Sequence, residues 1–116
     1  MEIELRGTTP PAEQIREQIG GLIAAGRVGA GEKLPSVRQL ARDLGVAPGT
    51  VAKAYRALEA DGYVDARAGG STRVSTKVST TSRPVLEAAR RLSDISTSEG
   101  VSLDETIRLL RGVWSD

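Results

Sequence analysis

The chain has 116 residues, 39% hydrophobic and 27% charged, with a formal net charge of +1, which allows one compact unit, or one small domain with an appendage, around a modest core. It contains no Cys, no His and no Phe, which excludes disulfides, thiol chemistry, the usual zinc sites and any Ser–His–Asp or Cys–His pair. No carboxylate pair stands out, no stretch approaches the roughly 20 apolar residues of a membrane span, and the opening MEIELRG does not read as a secretory signal; the expectation is a cytoplasmic protein that is not an enzyme and holds no metal or cofactor.

Residues 2–6, EIELR, alternate polar and apolar and read as a short edge strand. Ala12, Ile15, Ile19, Leu22 and Ile23 recur at helical spacing behind Pro10 and Pro11, which predicts a helix over 11–25 ended by Gly26. A loop, RVGAGEKLP, follows. Ser36 and Gln39 form an S-x-x-Q capping box for a helix over 36–44, with Val37, Leu40, Ala41 and Leu44 as its apolar stripe and Gly45 as its stop. A third helix spans 48–61, with Val51, Ala54, Tyr55 and Leu58 inward and Gly62 as a left-handed terminator. Tyr63–Arg67 and Ser71–Ser75 are strand candidates around Ala68-Gly69-Gly70, a β-hairpin. Residues 75–82, STKVSTTS, read as a linker. Two more helices are expected over 84–96 and 103–114, the second opened by a capping box of Ser102 and Glu105.

The small net charge conceals an uneven distribution. Residues 32–77 carry eight Lys/Arg against five Asp/Glu, whereas residues 78–116 carry five against six. The basic excess therefore coincides with the middle helices. There, Ala41, Gly45 and Val51 provide the small residue, turn and β-branched plug of a tight helix corner, and the hairpin behind it completes a winged helix. Thr50 lies near the start of the third helix, Lys53 and Arg56 one turn apart on it, Arg38 and Arg42 one turn apart on the preceding helix, and Arg67 and Arg73 beside the hairpin tip. Arg38 and Arg42 repel each other at i,i+4, which favours an external anion. Arg56 has an alternative partner in Glu59, and Lys53 has none at helical spacing. The stretch GRVGAGEKL imitates a phosphate loop but lacks G-x-x-x-x-G-K-[ST].

The segment AGEKLPSVRQLARDLGVAPGTVAKAYRALEADGYVDARAGGSTRV resembles the DNA-binding domain of GntR-type bacterial transcription regulators. The likeness runs from about Pro11 to Val74, and the short tail resembles the YtrA-type subgroup. The resemblance implies that Ser36 and Arg38 contact phosphate or a base edge, that Thr50 opens the recognition helix, and that Gly69 or Gly70 lets the wing backbone approach DNA. Ala47, Pro48 and Gly49 depart from the family's usual residues there, which shifts base readout toward Thr50, Lys53 and the wing. The tail stripes, with Val85, Ala89, Leu92, Ile107, Leu110 and Trp114, call for a partner surface, and a two-fold dimer supplies one.

The expected fold is mainly α with a small β-hairpin: a winged helix-turn-helix over 1–77, then a linker and two-helix dimerisation tail over 78–116. The expected partners are double-stranded DNA, read by Ser36, Arg38, Arg42, Thr50, Lys53, Arg56, Arg67, Gly69, Gly70 and Arg73, and a second copy of the chain. Repression is implied by the resemblance alone, and no residue pattern identifies an effector. A winged helix that docks protein instead of DNA is the alternative.

Overall fold

The computed structural model describes residues 1–66, 71–77 and 81–115. The chain divides into two units, Met1–Thr80 and Thr81–Asp116. In the first, helix α1 (Pro11–Ala24) buries Ile15, Ile19 and Ile23 on one face. Each is worth about 1.5–3 kcal/mol relative to exposure. The expected strand at residues 2–6 is absent. Its alternation suits an extended segment, but its backbone groups find glutamines rather than another strand. The Glu4 N–H donates to Gln18 Oε1 at 3.0 Å, Gln18 Nε2 donates to the Glu4 carbonyl at 2.6 Å, and the Arg6 N–H donates to Gln14 Oε1 at 2.7 Å.

Helix α2 (Val37–Leu44) is capped by Ser36, whose hydroxyl accepts from the Gln39 N–H at 3.1 Å. Only half of the expected box forms, because Gln39 turns forward and its Nε2 donates to Asp43 Oδ1 at 2.8 Å. Gly45 then adopts a left-handed conformation, φ 68°, that a residue with Cβ enters only at a cost of about 1–2 kcal/mol. Helix α3 (Pro48–Ala60) starts without a side-chain cap, since Ala47 occupies that position, and Gly62 at φ 84° follows its end. Val51, Ala54, Tyr55 and Leu58 of α3 join Ile15, Ile19, Ile23, Leu40 and Ala41 in one core. The Tyr55 hydroxyl lies at the edge of that core and donates to the Pro35 carbonyl at 2.7 Å.

Strands β1 (Val64–Ala66) and β2 (Thr72–Val74) pair antiparallel, with Val64 opposite Val74 and both buried. The stretch read as a plain loop contributes a third edge. The Gly31 N–H donates to the Val74 carbonyl at 2.8 Å, the Val74 N–H to the Glu32 carbonyl at 2.9 Å, and the Leu34 N–H to the Thr72 carbonyl at 2.8 Å. Val28 and Leu34 are buried as a result.

The second unit is an αα-hairpin of α4 (Arg83–Ser98) and α5 (Leu103–Val113), with α5 capped by Ser102. Thr106 is its buried point. Its hydroxyl bonds to Ser96 Oγ at 3.0 Å and to the Ser102 carbonyl at 2.8 Å.

Burial raises the Tyr55 phenol from its ordinary 10.0 to about 12. Between these values the unfolded chain loses the proton first, so stability falls as pH rises from 10 through 12. Tyr55→Phe should cost about 1 kcal/mol in urea unfolding at about pH 8, through the unpaired Pro35 carbonyl. It should also escape the alkaline loss, about 2–3 kcal/mol over two pH units, so the gap between the two proteins should close near pH 11 and reverse above it.

Candidate nucleic-acid interface

Four cations converge on the outer surface of the α2–α3 corner. Arg38 and Arg42 stand on one exposed stripe of α2, about 100° around the helix from the neighbouring exposed stripe of Gln39 and Asp43. On α3 the buried positions turn Gly49, Ala52, Lys53, Arg56 and Ala60 to the other face, where Lys53 and Arg56 are exposed. Thr50 is half-buried on the flank of this face, and its N–H donates to the Ala47 carbonyl at 3.0 Å. Ser36 is exposed at the start of α2.

The acids of the same region have other work. Asp43 accepts from Gln39. Asp61 pairs with Arg16 of α1 at 2.7 Å, and this carboxylate, by hydrogen bond and by charge, raises the Arg16 guanidinium above its ordinary range. Glu59, the suggested partner of Arg56, instead accepts from the Ala66 N–H at 3.0 Å and ties β1 to α3. Among the described residues, Arg38, Arg42, Lys53, Arg56 and Arg73 have no carboxylate within 4.0 Å. A surface whose acids are occupied and whose cations are not is suited to an external polyanion.

Arg73 lies on β2 opposite Asp65, and its Nη1 donates to the Gly31 carbonyl at 3.1 Å, which orients the guanidinium over the third edge. Lys33 bridges the same residue from that edge. Lys33 was not among the candidate contacts read from the sequence, because its approach to the hairpin depends on backbone pairing. Arg67, Gly69 and Gly70, three further candidates, lie outside the described residues.

The tail candidates share a different surface, within the second unit. Val85 and Trp114 are 57% and 69% exposed. Ala89, Leu92, Ile107 and Leu110 line one apolar groove between α4 and α5, and Leu110 and Ile107 continue toward Trp114. Leu109 and Val113, not expected in this role, are also exposed. Trp114 follows the end of α5 in extended conformation instead of completing it.

The profile of bacterial regulatory proteins of the gntR family matches residues 11–74. The HTH-type transcriptional regulator Rv1152 of Mycobacterium tuberculosis is 32% identical over 116 residues, 100% of this chain and 95% of that protein. The HTH-type transcriptional repressor YtrA of Bacillus subtilis is 41% identical over 81 residues, 70% of this chain and 62% of that protein. Among solved structures, YtrA from Sulfolobus acidocaldarius, a GntR-family transcription factor, superposes with a TM-score of 0.60 at 33% identity, covering 97% of this chain and 95% of that one. The DNA-binding domain of AraR in complex with operator ORX1 gives 0.58 at 28% identity, covering 65% of this chain and 96% of that one.

Glu59→Ala should free the base of the hairpin without dismantling the core. Amide exchange at Ala66 should accelerate severalfold, with a loss of overall stability of about 1 kcal/mol or less. Unchanged exchange at Ala66 would show that the carboxylate does not hold β1.

Proposed function

The chain belongs to the gntR family of bacterial regulatory proteins and is a DNA-binding helix-turn-helix transcription regulator of the short, YtrA-like kind, and we propose that it represses transcription as a homodimer seated on a two-fold operator. The observation that carries the DNA-facing part of this reading is the set of carboxylate-free cations on α2 and α3. In the proposed complex α3 enters the major groove, Arg38 and Arg42 hold phosphates on its border, Ser36 lies beside them, and Thr50 follows the backbone near the groove's edge. Arg73 and Lys33 bring the hairpin edge to a neighbouring phosphate, with Arg67, Gly69 and Gly70 as further candidate contacts. Repression needs only occupancy of a site that polymerase must use. The role is non-enzymatic, and a cytoplasmic location goes with it; among the described residues no helix is long and apolar enough to cross a membrane.

The dimer part of the proposal rests on α4 and α5. Leu103, Leu109, Val113 and Trp114 are each more than half exposed, an apolar density that a charged, water-facing helix pair does not need. Pairing of two tails through Val85, Ala89, Leu92, Ile107, Leu110 and Trp114 would cover it. Joining two heads in this way raises the effective concentration of the second head at its half-site and can strengthen binding by about 10²–10⁴.

Arg38→Ala should weaken operator binding by about 1–3 kcal/mol with an unchanged melting curve. For the unmodified protein, log affinity against log salt should fall with a slope of about −5 to −7, as roughly six to eight phosphate contacts per dimer require. A slope near zero would favour a protein-docking winged helix. Leu110→Asp should convert the sedimenting species from dimer to monomer and weaken operator binding at least tenfold; a variant that remains dimeric would move the interface away from the tail.

A further inference from the structure

The face of α3 turned away from the core carries few chemical groups. Gly49 has no side chain, Ala52 and Ala60 end in methyls, and apart from the half-buried Thr50 hydroxyl on its flank only Lys53 and Arg56 present hydrogen-bonding groups. Adenine is read in the major groove by the side-chain amides of Asn or Gln, cytosine by a carboxylate, and guanine by Lys or Arg donating to N7 and O6. The whole chain contains no Asn and three Gln, and each Gln is engaged elsewhere. Gln14 donates to the Thr9 carbonyl, Gln18 to the Glu4 carbonyl and Gln39 to Asp43. The carboxylate of α3 itself, Glu59, is held by the Ala66 N–H.

Lys53 is the better placed of the two cations. It lies one turn beyond Gly49, near the end of the helix that leads into the groove, and the absent side chain at Gly49 and short one at Ala52 let the backbone approach the base edges. Glu13 lines the same shallow groove as Lys53 but forms no ion pair with it, and Arg16 of that groove is paired with Asp61. Arg56 is a further turn along, toward the rim of the groove.

We propose that this regulator reads guanine in the major groove through Lys53, which donates to N7 and O6, and that α3 makes no bidentate adenine-reading contact. The proposal rests on the DNA-binding reading above and narrows it to a base and an atom pair. It also names Lys53 as the residue that sets specificity, in place of the first turn of the helix.

The test begins with selection of bound duplexes from a random pool by the full chain. Each guanine of the recovered half-site is then replaced in turn by 7-deazaguanine, which removes N7 and leaves Watson–Crick pairing intact. At least one replacement should lower the affinity of the unmodified protein about tenfold. Lys53→Gln should shift the preference at that base pair from guanine toward adenine by about tenfold, because a side-chain amide now faces it. Half-sites insensitive to every 7-deaza replacement would overturn the proposal, as would a Lys53→Gln protein that folds and keeps the original preference. Failure to recover any duplex, or binding without salt dependence, would instead overturn the DNA-binding reading beneath it.

Discussion

Four buried residues set the rotation of α3 about its own axis, and the remaining functional geometry follows from that rotation. Val51, Ala54, Tyr55 and Leu58 are all 5% exposed or less. A helix turns 100° per residue, so moving this set by one position would carry Lys53 and Arg56 away from the outer face. Three features prevent such a slip. Gly45 in its left-handed conformation sets the corner, Ala41 permits close contact there, and the Tyr55 hydroxyl is anchored on the Pro35 carbonyl. A fold of this size has a modest core to spend on orientation, and here much of it is concentrated at the corner.

The second organising feature is electrostatic. A net charge of +1 gives no long-range field to attract DNA. The proposed interface relies on local arrangement instead: Asp43, Glu59 and Asp61 each hold a structural partner, while the cations of α2 and α3 have no carboxylate partner among the described residues. The same contacts serve the fold. Asp61 joins the end of α3 to α1, and Glu59 joins α3 to β1. Acids that would have neutralised the proposed interface thus act as fasteners of the fold.

Much of this was legible in the sequence. The five helices follow from apolar spacing, from proline at the first turns of α1 and α3, and from Ser36 and Ser102 at the starts of α2 and α5. The inward residues of α3 follow from the same periodicity. What was not legible involved partners distant in sequence or contacts made by backbone. EIELR alternates like a strand, yet its hydrogen bonds go to glutamines 8 and 14 residues away. The stretch before Pro35 has no strand pattern, yet Gly31, Glu32 and Leu34 pair with β2 through main-chain groups that any residue possesses. For the same reason Lys33 escaped notice as a cation beside the wing. Glu59 is three residues from Arg56, the spacing of a helical ion pair, and only the position of β1 shows that Ala66 takes its carboxylate. The apolar stripes of the tail were evident from spacing; the exposure of Leu109 and Val113 on the same helix reflects how narrow the α4–α5 contact is, with Thr106 at its centre.

The proposed complex depends on the outer face of α3 and the arginine stripe of α2 being the surface that meets DNA. A titration of the ¹⁵N-labelled full chain with a selected operator duplex, followed by amide chemical shifts, tests it most directly. The largest shifts are expected at Arg38, Arg42 and residues 49–56, smaller ones at Lys33 and Arg73, and little change in the N-terminal segment. Shifts concentrated on the Asp43 side of α2 or on the buried face of α1, with Lys53 and Arg56 unmoved, would place the DNA contact elsewhere and refute this interface.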